Sequence, residues 1–324
     1  SADFINVDEV SMVDMHLAYE FFYKVKAGAR VLLVGDVHQL PSVGAGDVFR
    51  QLILCGKIPV TVLNLVYRQG KDSNIPINAQ LINEGKTNLQ WGDDFQMVEC
   101  SGADAAAQIV KHIYLKEIQM YGMEQVQILS PYKMRSAAGV LELNRSLQDE
   151  VNPPVFGKRE IHLGGEIFRE GDRILQNKNT EFASNGDLGT LVQIAEDEDN
   201  NPLVQIVFTD GRRVKYEAEQ VEMIEHANAI TIHKSQGSEC QVVIIPWLKA
   251  FYPMLKRNIF YTGITRAKQR VYIVGEWKAV CQAIHTDDTG TRKTMLAVKI
   301  QQYYERYQRQ ENRRIPATIC NRAV

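Results

Sequence analysis

Residues 31–41 read VLLVGDVHQLP: four apolar residues that run into Gly35 and Asp36. A run this short, closed by a glycine and an acid, has the length of a buried strand rather than of a core helix. Working outward, residues 4–9 (Phe-Ile-Asn-Val-Asp-Glu) repeat the pattern, with helical spacing at Met15–Lys26 between the two runs. Asp47–Leu54 is again helical in spacing, and Thr61–Leu65 reads as a further strand. Such β–α alternation predicts a parallel sheet flanked by helices.

The alternation continues. Phe95–Val98 reads as a strand and Ala103–Tyr121 as a helix closed by Gly122. Val126–Leu129 is the next strand, and Ala137–Asp149 a helix that stops before Pro153-Pro154. From about 155 to 225 helical periodicity vanishes. Short strands at Arg173–Gln176, Gly189–Ala195, Leu203–Phe208 and Arg213–Tyr216 are punctuated by turn residues. This stretch predicts a small antiparallel barrel inserted into the second α/β unit, with the acidic run from Glu196 to Asp199 at a solvated hairpin tip. Strands of parallel-sheet character return at Ala229–His233, Val242–Pro246 and Val271–Gly275, and Met295–Tyr307 reads as a solvated terminal helix ending in a basic tail.

The chain has 324 residues and a net charge of −2, so it has length for about two domains and no protein-wide positive field. Contact with a polyanion would have to come from local grooves. The five cysteines (55, 100, 240, 281 and 320) are far apart and odd in number, against a disulfide framework or a zinc site. With no apolar run near the ~20 residues of a membrane span and no leader pattern, a reduced, cytoplasmic setting and no membrane partner are expected.

Asp8 and Glu9 leave the first strand at its C-terminal end, the edge at which open α/β sheets bind ligands. Two readings stand. The acids hold Mg²⁺ and polarise a water, or Asp8 caps a helix whose dipole Glu9 favours. Asp36 and Gln39 would lie beside them if the two strands are neighbours, and a neutral Gln39 can donate to a phosphate while accepting from water. His38 reads as a loop or packing residue. Ser42 to Gly46 supplies backbone able to approach a phosphate or sugar closely. Tyr67-Arg68-Gln69 fits either a phosphate and base contact or plain surface. The most specific string is Thr231-Ile232-His233-Lys234-Ser235-Gln236-Gly237-Ser238-Glu239, a row of donors after an apolar strand, the groups that grip strand phosphates without reading sequence. Arg266, in Tyr261–Lys268, has the planar fork suited to γ-phosphate charge, though a solvated helix position is its alternative.

VDEVSMVD (7–14), GDVHQLPSVGAGDVF (35–49), YRQ (67–69), ITIHKSQGSE (230–239) and YTGITRAK (261–268) resemble motifs II to VI of superfamily 1 helicases. They are most similar to the RecD-like branch, the exodeoxyribonuclease V alpha subunit and its stand-alone relatives. Residues 128–153 resemble that branch's additional motif between IV and V, and residues 171–189 its inserted SH3-like barrel. The resemblance runs from residue 4 to about 275. It implies two RecA-like parallel-sheet cores in an α/β fold, ATP bound between them, single-stranded DNA crossing the top, and 5′-to-3′ movement. By resemblance, Asp8 holds Mg²⁺ and Glu9 activates water, while Gln39, Arg68 and Arg266 contact the γ-phosphate. Asp36, Gln69, Gly237 and Glu239 line the nucleotide, and Ser42, Thr231, His233, Lys234 and Ser235 face the DNA. Tyr67 and Gly263 stand where Phe and Ala are common.

No G-x-x-x-x-G-K-[ST] phosphate loop occurs in these residues, and its amides and Lys normally hold the β and γ phosphates. The expectation is therefore the C-terminal part of an ATP-dependent 5′-to-3′ DNA helicase, inactive as this chain alone. It would comprise a truncated first core (1–58), a complete second core (59–155 and 225–278), the inserted barrel (156–224) and a helical basic tail (279–324). Other recombination or repair subunits are candidate partners. Three alternatives remain open: a non-hydrolysing nucleic-acid-binding or docking module, the helicase half of a conjugative relaxase, and an RNA-directed motor.

Overall fold

The computed structural model describes residues 2–63, 69–70, 72–134, 136–163, 165–196, 201–288, 292 and 294–314. In chain order the elements are β1 (Phe4–Val7), α1 (Met15–Lys24), β2 (Arg30–Leu33), α2 (Val48–Leu54), α3 (Asn74–Asn83), β3 (Phe95–Glu99), α4 (Ala103–Tyr121), β4 (Val126–Ser130) and α5 (Val140–Val151). There follow β5 (Glu160–Leu163), β6 (Glu166–Arg169), β7 (Arg173–Gln176), β8 (Leu188–Glu196), β9 (Pro202–Phe208), β10 (Arg213–Tyr216), α6 (Ala218–Val221) and β11 (Ile224–His226). The chain closes with β12 (Ala229–Thr231), β13 (Cys240–Trp247), α7 (Arg257–Ile264), β14 (Ala267–Gly275), α8 (Trp277–His285) and α9 (Leu296–Arg314). They form two compact units, Ser1–Val66 with Asp288–Val324, and Tyr67–Asp287.

In the first unit β1 and β2 pair in parallel, with Phe4 opposite Arg30 and Val7 opposite Leu33. α1 starts where it does because the Asp14 carboxylate accepts the Leu17 N–H at 2.8 Å. A small core gathers Ala18, Val48 and Leu52 with Val13, Met15 and Leu33, and Leu296 and Ile300 of α9 pack against it. The terminal helix is solvated from Gln302 to Gln310, as the sequence suggested, but its first turns dock on this core. Leu296 and Ile300, one turn apart, share a face, and Gln301 Nε2 donates to the Cys55 carbonyl at 3.0 Å. Much apolar surface on β1, α1 and β2 nevertheless stays open: Phe4 is 59% exposed, Tyr19 62% and Tyr23 76%.

The second unit is built on a five-stranded parallel sheet in the order β12-β4-β13-β14-β3, with α4 packed on it. Val243, Ile244, Ile245, Val271 and Ile273 are fully buried, as strands covered on both faces must be. Between α5 and β12 the chain forms the antiparallel sheet β10-β9-β8-β7-β11 and the hairpin β5-β6. Phe168, Ile174, Leu191, Val204, Ile206, Phe208 and Tyr216 fill one core for both. Hydrogen bonds fix this insert to the parallel sheet. Arg173 Nη1 donates to the Met123 and Val126 carbonyls, both at 2.8 Å. Asn144 Nδ2 donates to the His226 and Ala229 carbonyls at 2.8 and 2.9 Å.

Several local expectations need correction. Of the strand expected at Thr61–Leu65, residues 64 and 65 lie outside the described residues; Thr61, Val62 and Leu63 form none, and Val62 and Leu63 are 73% and 87% exposed. α5 begins at Val140, not Ala137, because Gly139 N–H closes a turn on the Ser136 carbonyl at 2.8 Å. β12 ends at Thr231, and His233–Ser235 is a 3-10 turn. Three strands (β5, β6, β11) and the helices α3, α6 and α8 had no expectation of their own. Among the described residues no helix is long and apolar enough to cross a membrane.

Candidate functional site

The candidate residues of the first unit converge on one sheet edge. Because Val7 pairs with Leu33 in register, Asp8-Glu9 and Gly35-Asp36 leave the same C-terminal edge of neighbouring parallel strands. The ladder runs past the strands, with Val34 N–H on the Val7 carbonyl at 2.8 Å and Val10 N–H on the Val34 carbonyl at 3.0 Å. Glu9 sits at φ 52°, the one described non-glycine residue in the left-handed region. Its N–H donates to Asp8 Oδ1 at 2.8 Å, which fixes the acidic pair in that turn. A left-handed conformation at a non-glycine residue costs on the order of 1 kcal/mol and concentrates at working sites.

Asp36 accepts the His38 N–H at 2.9 Å and, through its other oxygen, a long 3.4 Å bond from Gln39 Nε2. Gln39 Oε1 is buried with no hydrogen-bond partner among the described residues. A buried acceptor left open in this way suits an incoming water proton. Among the described residues no group of three or more His, Cys, Asp or Glu side chains could hold a metal ion by itself.

The loop after Gln39 is held from the far end of the sequence. Arg292 Nη1 donates to the Gly44 and Gly46 carbonyls at 3.0 and 2.7 Å and to Ser42 Oγ at 3.3 Å, while Nη2 donates to the Ser42 carbonyl at 2.7 Å. The loop presses on the start of α1: a Cβ on Gly44 would lie 2.1 Å from an Asp14 carboxylate oxygen. Ser42 is accordingly 3% exposed, its hydroxyl turned to Arg292 and the Gly44 carbonyl. A strand phosphate could reach it only if the loop opened.

In the second unit the candidates separate into two groups at opposite edges of the sheet. Cys240 pairs with Ala267 at the N-terminal ends of β13 and β14, which places Glu239 and Arg266 side by side just before them. Arg266 is 2% exposed, donating from Nε to the Thr262 carbonyl at 3.2 Å and from Nη1 to the Ser238 carbonyl at 3.3 Å. It lies beyond α7, not as a solvated residue on a helix. Gln69 Nε2 donates to the Ala267 carbonyl at 2.7 Å, joining the same corner across nearly 200 residues of chain. Glu239 is ion-paired with Lys268. Gly237, at φ 75°, makes the left-handed turn that feeds this edge. Arg68 lies outside the described residues.

The second group lies where β12 ends, with Thr231 opposite Ser130 of β4. Thr231 Oγ1 accepts the Lys234 N–H at 3.3 Å, and Ser235 Oγ donates to the Ile232 carbonyl at 2.8 Å. Ser235 is buried at 1% exposure, which makes it a brace for the turn rather than an open contact. His233 is exposed; desolvation of its ring and the nearby Lys256 hold its pKa below the ordinary imidazole value. The Lys234 ammonium donates to Asn177 Oδ1 at 2.9 Å and to Asn185 Oδ1, both from the insert. Its pKa is lowered by burial, opposed by Glu225 and reinforced by Lys133. The string from Thr231 to Glu239 therefore crosses from one sheet edge to the other instead of lying at one. Lys133, Asn177, Asn185, Lys268 and Arg292 were given no role in the sequence; all but Arg292 lie inside the quoted stretches 128–153, 171–189 and 261–268, where each is an ordinary polar residue.

Three domain families match parts of this chain: an AAA domain over residues 1–103, the ATP-dependent RecD-like DNA helicase SH3 domain over 143–208 and the UvrD-like helicase C-terminal domain over 226–274. The ATP-dependent RecD2 DNA helicase of Deinococcus radiodurans is 32% identical over 277 residues, covering 86% of this chain and 37% of that protein. The RecBCD enzyme subunit RecD of Mycolicibacterium smegmatis is 28% identical over 316 residues, covering 90% of this chain and 54% of that protein. The chain thus spans about half or less of the length of these relatives. The crystal structure of Pif1 helicase from Candida albicans shares the fold, with a TM-score of 0.52 over 94% of this chain and 77% of that one at 16% identity.

Proposed function

The chain belongs to the RecD-like helicases, and from that premise we propose that it is the C-terminal part of an ATP-dependent DNA helicase that moves 5′ to 3′ on single-stranded DNA. The observation that carries the reading is the register of β1 and β2, which delivers Asp8, Glu9, Asp36 and Gln39 to one sheet edge.

In this reading Asp8 holds Mg²⁺ and Glu9, fixed by its left-handed turn, takes a proton from the attacking water. Mg²⁺, when bound, neutralises phosphate charge. Gln39 orients the water through its open carbonyl. Arg266 supplies positive charge to the γ-phosphate, with Arg68 as its proposed companion. Gln69, Gly237 and Glu239 shape the nucleotide corner, and Thr231, His233 and Lys234 contact the strand. The 324 residues alone hydrolyse ATP negligibly, because they carry no backbone cradle for the β and γ phosphates.

The test is Glu9→Gln in the full-length protein. Hydrolysis should be lost while ATP binding persists; near-normal turnover would remove Glu9 from its role.

A further inference from the structure

Ser130 and Thr231 are register partners at the ends of the neighbouring parallel strands β4 and β12. Lys133 and Lys234 each lie three residues beyond that pair, so both ammonium groups emerge at the same edge. One polar bridge ties them together. Lys133 Nζ donates to Glu225 Oε1 at 2.8 Å, Asn177 Nδ2 donates to that same oxygen at 2.6 Å, and Lys234 Nζ donates to Asn177 Oδ1 at 2.9 Å. Asn185 Oδ1 accepts from Lys234 as well. Glu225 belongs to β11 and Asn177 follows β7, so the insert itself supplies the bridge.

Lys133 pairs with the Glu225 carboxylate directly and Lys234 reaches it only through Asn177, so two cations stand near one carboxylate, with one positive charge in excess. The Lys133 and Glu225 side chains stay 44% and 27% exposed, so an anion can reach them from solvent. A lysine is a compact point charge on a flexible stem, suited to phosphate oxygens that shift as a strand slides. Each ammonium also lies against a neutral or negative acceptor, so their mutual repulsion is already offset before any ligand arrives.

We propose that Lys133 and Lys234 form a paired phosphodiester-binding site for single-stranded DNA, with Glu225 holding Lys133 directly and Lys234 through Asn177 while the strand is absent. Asn177 and Asn185 keep Lys234 aimed at that site. The inference rests on the reading of Thr231 to Lys234 as strand contacts and adds a residue from a separate segment, the one after β4. Glu225 then acts against the ligand, since its charge repels a phosphate.

The test is binding of an oligo-dT probe to the 324-residue chain across a salt series, followed by fluorescence anisotropy. Each neutralised phosphate contributes a slope of about −0.7 in log K against log salt for single strands. Lys133→Met, which keeps most of the alkyl stem, should flatten the slope by about 0.7. Glu225→Gln should tighten binding. If Lys133 and Glu225 serve only to anchor the insert, Glu225→Gln breaks the same ion pair and binding weakens or stays level; that result overturns the proposal, as does an unchanged slope in Lys133→Met. The underlying reading has its own arm: a His233→Ala, Lys234→Ala variant with unaltered binding sinks the Thr231–Lys234 assignment whatever Lys133 does. A wild-type chain that does not bind the probe overturns both.

Discussion

Replacing Arg292 by alanine should loosen the loop from Ser42 to Gly46 without unfolding the unit around it. The guanidinium makes four contacts with that loop, two of them at 2.7 Å. A net hydrogen bond to a charged group contributes about 1.5–3 kcal/mol. Four from one head group are not additive, and the freed carbonyls can turn to water, so the whole clamp amounts to about 2–3 kcal/mol. At 1.4 kcal/mol per factor of ten, that is about a 30- to 150-fold change in the opening equilibrium. The Met15 amide reports it, because its N–H donates to the Ala45 carbonyl at 2.9 Å and is released when the loop lifts. Native-state hydrogen exchange should show Met15 faster in Arg292→Ala by that factor, with Arg292→Lys partly restoring protection. The Cys55 amide, bonded to the Gln51 carbonyl at 3.0 Å within the helical framework, should be unmoved. Unchanged exchange at Met15 would refute the clamp, and equal acceleration at Cys55 would show that Arg292 holds the whole unit instead.

Two further predictions concern the insert. His226 is stacked on Phe168 at 4.3 Å between ring centroids and lies 3.7 Å from Asp172, and burial lowers its pKa below 6.5 despite that carboxylate. A folded value below the unfolded one makes its contribution complete above pH 6.5 and lost progressively as pH falls toward the folded value. Urea midpoints of wild type and His226→Gln should therefore converge as pH drops below that point, and parallel curves would rule out the linkage. Ile206 is fully buried in the core of the insert, so Ile206→Ala should cost about 2–5 kcal/mol in urea unfolding. A loss far below that range would mean the core can collapse around the gap.

Much of the fold was legible in local pattern. Arg173–Gln176, Arg213–Tyr216 and Ala103–Tyr121 with its closing Gly122 appear with the bounds read from sequence. Period and turn chemistry act within a few residues, so they survive without tertiary context. α3 was missed although Ser73 caps it locally by accepting the Ile75 N–H; the cap is itself held by Asp94, which accepts the Ser73 hydroxyl and the Asn74 N–H at 2.8 and 2.6 Å from about twenty residues away. The solvated reading of α9 holds from Gln302 to Gln310; only its docked start was missed, because two residues, Leu296 and Ile300, carry it.

The candidate site divides along the same line. Sequence by itself determined which chemical groups are present, in what order, and that Asp8 and Asp36 follow apolar strands while Thr231 lies in one. It could not determine that Ser42 faces inward under Arg292, or that Glu239 and Arg266 meet Gln69 at one sheet edge while Lys234 meets Lys133 at the other. Those pairings come from strand register and from side chains far apart in the chain, and a hydrogen bond has no sequence period by which it could be foreseen.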